Sequence, residues 1–114
     1  MANSKNTVSR RDRGWAYNIL LDSTDSYEIL PAVSDQQHTI EQLLITVSGA
    51  TTVSILQDLE ALLGPFQLAA TLTGGISLQL NQPLALNRGC ALGVCQSLAV
   101  TTQILLLGDT VTIG

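Results

Sequence analysis

The sequence predicts an all-β fold: an antiparallel β-sandwich or jelly-roll-like domain with an extended N-terminal arm. Three observations support this prediction. Apolar and polar residues alternate in short runs, these runs recur about every ten residues, and turn-forming residues separate them. Short strands at this spacing are typical of a sandwich or a jelly roll, rather than of a parallel sheet with crossover helices.

At 114 residues, the chain has the length of a single domain. We divide it into an extended basic N-terminal arm, residues 1–14, and a β-sandwich domain, residues 15–114. The acidic residues lie mostly in the domain, whereas the arm carries four cations, Lys5, Arg10, Arg11 and Arg13. Such an arm is either a solubilising disordered tail or a segment that becomes ordered along a neighbouring subunit.

The composition favours association with other subunits. Charged residues make up 12% of the chain, about half the usual share, so Ser, Thr, Gln and Asn must supply much of the polar surface. We therefore expect an oligomer. Phosphate would repel the acidic domain as much as it attracts the arm, so we expect no nucleic-acid partner. No stretch approaches the ~20 apolar residues of a membrane-spanning helix, so we expect no membrane partner either.

Two short strands are predicted after the arm, at Trp15–Asp22 and Ser26–Pro31, with a polar turn between them. Trp15 and Tyr17 share one face of the first strand. Large aromatic residues near a terminus are more often anchors against a core or a neighbour than ligand platforms. We therefore group these two aromatics with the four cations of the arm as the predicted partner-binding residues.

The next segments, "HTIEQLLITVSG" and "TTVSILQ", predict a hairpin with Gly49 in its turn. "DLEALLG" follows, and we assign it to a hairpin connection, with a short helical turn as the alternative. In "GPFQLAA", Pro65 lacks an amide donor, so we expect this strand to begin at an edge or at a bend.

The glycines of "TLTGG" end that strand, and "ISLQLN" alternates between apolar and polar residues. The segment Leu98–Leu107 is apolar on both faces. This pattern predicts a strand covered on both sides, either centrally in a sandwich or against another subunit. "GDTVTIG" then gives a turn and a last alternating strand.

Residues with catalytic or metal-binding potential are few. His38, the only histidine, is predicted to be a surface or interface residue rather than a general base, and no serine lies in a nucleophile motif. Cys90 and Cys95 are too widely spaced for a zinc pair, and in an extended strand they are too far apart for a disulfide. A turn at Gly93 would allow that bond. We expect reduced cysteines, no cofactor, no metal and no enzymatic activity.

The segments "LLGPFQLAATLTGG", "ISLQLNQPLAL" and "GCALGVCQSLAVTTQILL" resemble small structural proteins of tailed bacteriophage virions. The similarity covers about Thr39 to Gly114. Its matching positions are Gly64, Pro65, Phe66, Leu68, Ala69, Ala70, Gly74 and Gly75.

This resemblance implies a capsid cement or decoration protein, a homotrimer that binds the major capsid protein and stabilises capsomer junctions. It would be assembled in the host cytoplasm and located on the capsid exterior. By analogy, the arm cations would contact acidic patches of the shell. The alternatives are a tail, baseplate or head-fibre subunit, or a receptor- or carbohydrate-binding module.

Overall fold

The computed structural model describes residues 3–10, 14–68 and 75–112. Within these ranges the chain forms nine strands and no helix. The strands are β1 (Ser4–Arg10), β2 (Gly14–Leu21), β3 (Tyr27–Leu30), β4 (Gln36–Val47), β5 (Thr51–Gln57), β6 (Glu60–Leu68), β7 (Gly75–Ala85), β8 (Leu92–Gln96) and β9 (Thr102–Thr112).

The strands form two antiparallel sheets. The large sheet has the order β1-β2-β9-β4-β7, and the small sheet has the order β3-β8-β5-β6. Every neighbouring pair is antiparallel. Without β1, the two orders are those of a jelly roll, in which two Greek keys place four strands in each sheet. The predicted antiparallel, jelly-roll-like sandwich is confirmed.

The core lies between the sheets and is almost entirely aliphatic. The large sheet contributes Trp15, Ile19, Leu21, Ile40, Leu43, Ile45, Ile104 and Leu106, and the small sheet contributes Ile29, Val53, Ile55, Leu92 and Val94. Because these residues alternate with outward-facing ones along each strand, the period-2 pattern of the sequence builds the core directly. Each fully buried aliphatic side chain contributes about 1.5–3 kcal/mol.

Part of the segment predicted as an arm is a strand of the domain. β1 is the edge strand of the large sheet, and its pairing with β2 satisfies backbone groups on both. Lys5 fastens this edge to the rest of the sandwich. Its ammonium group donates a hydrogen bond to the carbonyl oxygen of Ile29 on β3, and lies 4.8 Å from the centre of the Tyr17 ring.

The strand predicted at Leu98–Leu107 begins later in the structure than in the prediction. β9 begins at Thr102, and Leu98 lies outside it with 54% of its surface exposed. Gln96 causes the difference, because its side-chain amide donates to the carbonyl of Val100 at 2.8 Å and accepts from the Thr102 hydroxyl at 2.6 Å. These bonds hold the chain in a bend. β9 lies between β2 and β4, and only one of its faces is buried in the core, since Leu105 and Leu107 on the other face are partly exposed. The predicted cover over both faces stays a prediction.

The ambiguous segment "DLEALLG" forms a hairpin and not a helical turn. Asp58 and Leu59 make a two-residue turn between β5 and β6. β6 therefore begins at Glu60, and Pro65 lies inside the strand instead of near its start. β6 is an edge strand of the small sheet, which is where a residue without an amide donor is tolerated.

His38 is buried, with 1% of its surface exposed, so the predicted surface position is wrong. Its Nε2 lies 2.9 Å from the carbonyl oxygen of Pro31, and its Nδ1 lies 2.8 Å from the hydroxyl of Thr110. The carbonyl can only accept, so Nε2 carries the proton and Nδ1 accepts from Thr110. The same hydroxyl accepts a 2.9 Å hydrogen bond from Nε1 of Trp15. Three polar groups are thus satisfied together inside the sandwich.

The indole of Trp15 requires a glycine beneath it. A Cβ atom at Gly108 would lie 2.5 Å from Cη2 of Trp15 and 2.1 Å from the carbonyl oxygen of Thr39. Both distances are far below van der Waals contact, so glycine is the residue that fits at this position.

We expect Thr110→Val to lower the free energy of unfolding by about 1–3 kcal/mol, because it leaves Nε1 of Trp15 and Nδ1 of His38 without hydrogen-bond partners in the interior. Urea titrations followed by circular dichroism measure the change. Thr46→Val, at an exposed position on β4, is the matched control, with a change of about 0.5 kcal/mol or less. Equal stability of the two variants would contradict the role of the network.

Candidate functional site

A cavity of about 360 Å³ opens at the small sheet. Its volume lies within the range of roughly 300–1,000 Å³ that is usual for small-molecule sites. The apolar lining residues are Ala32, Leu56, Leu59, Ala91, Leu92 and Gly93, and the polar ones are Ser26, Tyr27, Glu28 and Asp58.

The floor of the cavity lies on the face of the small sheet that points away from the core. Leu56 and Gly93 are partners in register, and the adjacent Ile55, Leu92 and Val94 belong to the core. Glu28 on β3 pairs with Gly93 from the other side. A Cβ at Gly93 would lie 3.0 Å from the carbonyl oxygen of Tyr27. The missing side chain therefore keeps the floor of the cavity open.

The turn between β5 and β6 forms the rim. Asp58 and Leu59 have φ angles of 49° and 70°, the left-handed conformation that a two-residue hairpin of this type requires at both positions. Aspartate tolerates this conformation, but leucine does so at a cost of about 1–2 kcal/mol. Leu59 is also 78% exposed. A strained, exposed leucine at the mouth of a cavity points to a role in contact with a ligand.

Asp58 is held in place and held ionised. Its Oδ1 accepts a 2.7 Å hydrogen bond from the amide of Ala91, and its own amide donates to the carbonyl of Ala91 at 3.1 Å. The bond from the Ala91 amide, aided by one from the Cys90 thiol, lowers the pKa of the Asp58 carboxyl below its ordinary value. The carboxylate therefore carries a full negative charge at neutral pH.

Cys90 is a poor nucleophile in this environment. Its hydrogen bond to Asp58 raises the pKa of the thiol, and desolvation and the negative charges of Asp58 and Glu60 act in the same direction. Burial raises the pKa of the Cys95 thiol. Because the thiolate is the reactive form, neither cysteine is activated at neutral pH. Both are free thiols, and β8 runs extended through Gly93, so the alternative turn there is absent.

The described residues offer no further reactive grouping at the cavity. In the described ranges, no three His, Cys, Asp or Glu side chains come together in a way that could hold a metal ion. His38 lies inside the sandwich and is not part of the lining. The described segments also contain no helix with the length and hydropathy needed to cross a membrane. The charged groups that line the cavity are the carboxylates of Glu28 and Asp58.

Of the predicted partner-binding residues, Lys5, Trp15 and Tyr17 do not line this cavity. Trp15 is 6% exposed, and Tyr17 stacks on it with 5.5 Å between the ring centres. Trp15 also bonds to Thr110, and Lys5 lies over the Tyr17 ring. Arg10 ends β1, and Arg11 and Arg13 lie outside the described residues. Partner binding by all six of these residues stays a prediction.

Sequence reasoning missed the cavity, although two of its signals are visible in the sequence. Gly93 interrupts an apolar run inside a strand, which is typical of a close backbone approach. Asp58 is the first residue of the ambiguous leucine-rich segment, and aspartate is among the residues that tight turns favour. Neither signal shows that β3, β5 and β8 meet, because that depends on the order of strands in the sheet.

No family model matches the sequence, and no curated protein matches it. Among solved structures, this chain is similar to the Cnp3 cupin domain of Schizosaccharomyces pombe, with a TM-score of 0.47 and 4% identity over 96% of this chain and 65% of that one. It is also similar to a "putative mannose-6-phosphate isomerase" of Ralstonia eutropha JMP134, with a TM-score of 0.39 and 10% identity over 98% of this chain and 85% of that one. The chain thus spans just under two thirds of the length of the Cnp3 domain.

These comparisons contradict the predicted function of a capsid cement or decoration protein. The two solved structures named above are a cupin domain and a protein titled as a mannose-6-phosphate isomerase, and neither title describes a virion protein. The tail, baseplate, head-fibre and receptor-module alternatives gain no support either. The resemblance rested on turn glycines and apolar alternation, which any small antiparallel sandwich needs for folding.

We expect Asp58→Asn to increase the rate at which iodoacetamide alkylates Cys90 severalfold at pH 8. Asparagine accepts the Ala91 hydrogen bond and tolerates the same φ, but it removes the charge that disfavours the thiolate. The pKa of Cys90 then falls, and more thiolate is present. Mass spectrometry of the peptides separates Cys90 from Cys95, whose rate serves as the internal control. An unchanged Cys90 rate would show that Asp58 does not control this thiol.

Proposed function

We propose that this chain is a non-catalytic binding module whose cavity takes a cationic head group on a short apolar stem. An alkylammonium or alkylguanidinium group, free or carried by a lysine or arginine side chain, has this chemistry. One observation carries the proposal: the cavity combines an apolar floor with two carboxylates, and its lining contains no lysine, arginine or histidine.

The two parts of such a ligand match two parts of the cavity. An apolar stem would cover Leu56 and Gly93 on the floor and Leu59 on the rim, where each buried methylene contributes about 0.8 kcal/mol. The head group would lie beside Glu28 and Asp58. The hydrogen bond from Ala91 fixes the Asp58 carboxylate before any ligand arrives, so little conformational entropy is lost on binding.

Binding without catalysis is the function that the site chemistry supports. Asp58 accepts hydrogen bonds from a backbone amide and a thiol, which makes it a weak base at neutral pH. The hydrogen bond between Cys90 and Asp58 also raises the pKa of the thiol, which therefore stays protonated at neutral pH. Catalysis would instead need a carboxylate with a raised pKa as the general base and a thiol with a lowered pKa as the nucleophile.

We expect n-pentylammonium to bind the full-length chain with a dissociation constant of about 1 mM, since a ligand of about six heavy atoms gains roughly 0.7 kcal/mol per atom. Titration of the ¹⁵N-labelled protein, followed by amide chemical shifts, measures the affinity. The largest shifts should occur at Leu59, Ala91 and Gly93. Glu28→Gln and Asp58→Asn should each weaken binding about two- to fivefold, as expected for exposed ion pairs.

Two controls separate this site from general attraction to an acidic protein. Asp35→Asn removes an exposed carboxylate outside the cavity lining and should leave the affinity unchanged. Pentanoate has a similar stem and the opposite charge, and it should not bind. Shifts that do not saturate, or equal binding of pentanoate, would rule out the proposed function.

A further inference from the structure

The chain itself carries the kind of cationic group that the cavity is proposed to take. The stretch Arg10–Arg13, which we call the arginine segment, holds three arginines and one aspartate, so its formal charge is +3 − 1 = +2. The described lining of the cavity holds the carboxylates of Glu28 and Asp58 and no cationic residue, which gives it a formal charge of −2. An arginine side chain is a guanidinium head on an apolar stem. The arginine segment therefore matches the cavity in both charge and chemistry.

The two cations outside the arginine segment already have partners within the chain. The ammonium group of Lys5 donates to the carbonyl oxygen of Ile29 and lies over the Tyr17 ring. Nε of Arg88 donates a 3.1 Å hydrogen bond to the carbonyl oxygen of Ser34. The arginine segment is therefore the better internal source of a cation for the cavity.

The arginine segment and the cavity lie at the same end of the sandwich. β1 ends at Arg10 and β2 begins at Gly14, and the rest of the segment, which is outside the described residues, connects these two strands. β4 runs parallel to β2, because both pair antiparallel with β9, and it begins at Gln36. The loop that leads into β4 contains Ala32, which lines the cavity.

The segment and the cavity also share a lateral edge, but they belong to different layers. Lys5 on β1 contacts Ile29 on β3, so the edge strands of the two sheets lie side by side there. Glu28, the neighbour of Ile29, lines the cavity on the outer face of the small sheet. The core between packed sheets is about 10 Å thick. An arginine held at the end of β1 would have to pass the small sheet to reach its own cavity, which favours the cavity of a second copy.

We propose that two copies of this chain form a two-fold symmetric, end-to-end dimer in which the arginine segment of each copy enters the cavity of the other. This inference rests on the proposed function of the cavity. A two-fold axis that runs across the strands, midway between the sheets, exchanges the levels of the large and small sheets and leaves the lateral edge in place. It therefore brings each arginine segment opposite the cavity of the partner copy, and the reciprocal contact closes the dimer.

Two weak contacts that form together are sufficient for a measurable dimer. Each contact is comparable to the binding of a small alkylguanidinium, with a dissociation constant of about 1 mM. The second contact forms at an effective concentration on the order of 10 mM, which gives a dimer dissociation constant of about 0.1 mM. Because ion pairs contribute, raising NaCl from about 50 mM to about 500 mM should weaken the dimer.

Sedimentation equilibrium of the full-length chain between about 10 and 500 µM tests the proposal. The expected result is an equilibrium between the 12.1 kDa monomer and a species of twice that mass. Arg11→Gln/Arg13→Gln, the segment variant, and Glu28→Gln/Asp58→Asn, the cavity variant, should each raise the dissociation constant at least ~10-fold. Arg88→Gln removes a cation outside the segment and is the control, with a change of about twofold or less.

The two double variants also exclude a general effect of charge. The segment variant changes the net charge from −4 to −4 − 2 = −6, and the cavity variant changes it to −4 + 2 = −2. Repulsion between acidic molecules would weaken the dimer in the first case and strengthen it in the second. The proposed contact predicts a weaker dimer in both, and a stronger dimer of the cavity variant would contradict it.

Mixing the variants tests whether the contact joins two copies. The segment variant keeps its cavity, and the cavity variant keeps its arginines, so a mixture regains one of the two contacts with a dissociation constant of about 1 mM. The ¹⁵N-labelled segment variant should therefore show amide shifts at Leu59, Ala91 and Gly93 when the unlabelled cavity variant is added. Addition of the unlabelled segment variant should cause no such shifts.

Binding of n-pentylammonium separates a failure of this inference from a failure of the proposed function. The segment variant should bind it at the cavity, and circular dichroism verifies that each variant is folded. If the segment variant binds n-pentylammonium while the wild type is monomeric at 500 µM or trimeric, or while the mixture shows no shifts, the dimer is overturned and the proposed function stands. If neither the wild type nor the segment variant binds n-pentylammonium, both are overturned.

Discussion

The packing of Trp15 over Gly108 is the constraint on which the central part of the large sheet depends. β2 supplies the indole, β9 supplies the residue without a side chain, and the carbonyl of Thr39 on β4 closes the same space. The indole nitrogen then reaches Thr110, which bonds to His38 on β4. A shift of one residue between β2 and β9 would place Leu107 or Asp109 opposite Trp15 and break this chain of hydrogen bonds, so one register is strongly favoured.

A fixed large sheet leaves the two outward faces of the sandwich with different properties. The outward face of the large sheet carries leucine and amide side chains on its central strands, which also hold Glu41 and Asp109. The small sheet instead carries carboxylates beside an open floor at Gly93. The proposed ligand would therefore bind at the small sheet, where the carboxylates and the open floor lie together.

Alternation in the sequence was sufficient to predict the antiparallel class and most strands other than β1, because a strand with one buried face needs that period. It failed where a single side chain overrides the pattern. Gln96 holds a bend that excludes Leu98 from β9, and His38 is buried because Thr110 and Pro31, which are distant in sequence, satisfy both of its nitrogens. The cavity depends on which strands become neighbours, and a local pattern does not contain that information.

The β5–β6 turn explains how a binding site and a stable hairpin are built from the same residues. Asp58 adopts the left-handed conformation of the turn, joins it to Ala91 and keeps its charge at the cavity. Glycine would be the unstrained choice for the next position, where the chain has Leu59. Folding alone does not favour this leucine, since it is both strained and mostly exposed. Contact with an apolar ligand stem at the rim would offset both penalties, and this makes the turn part of the binding site.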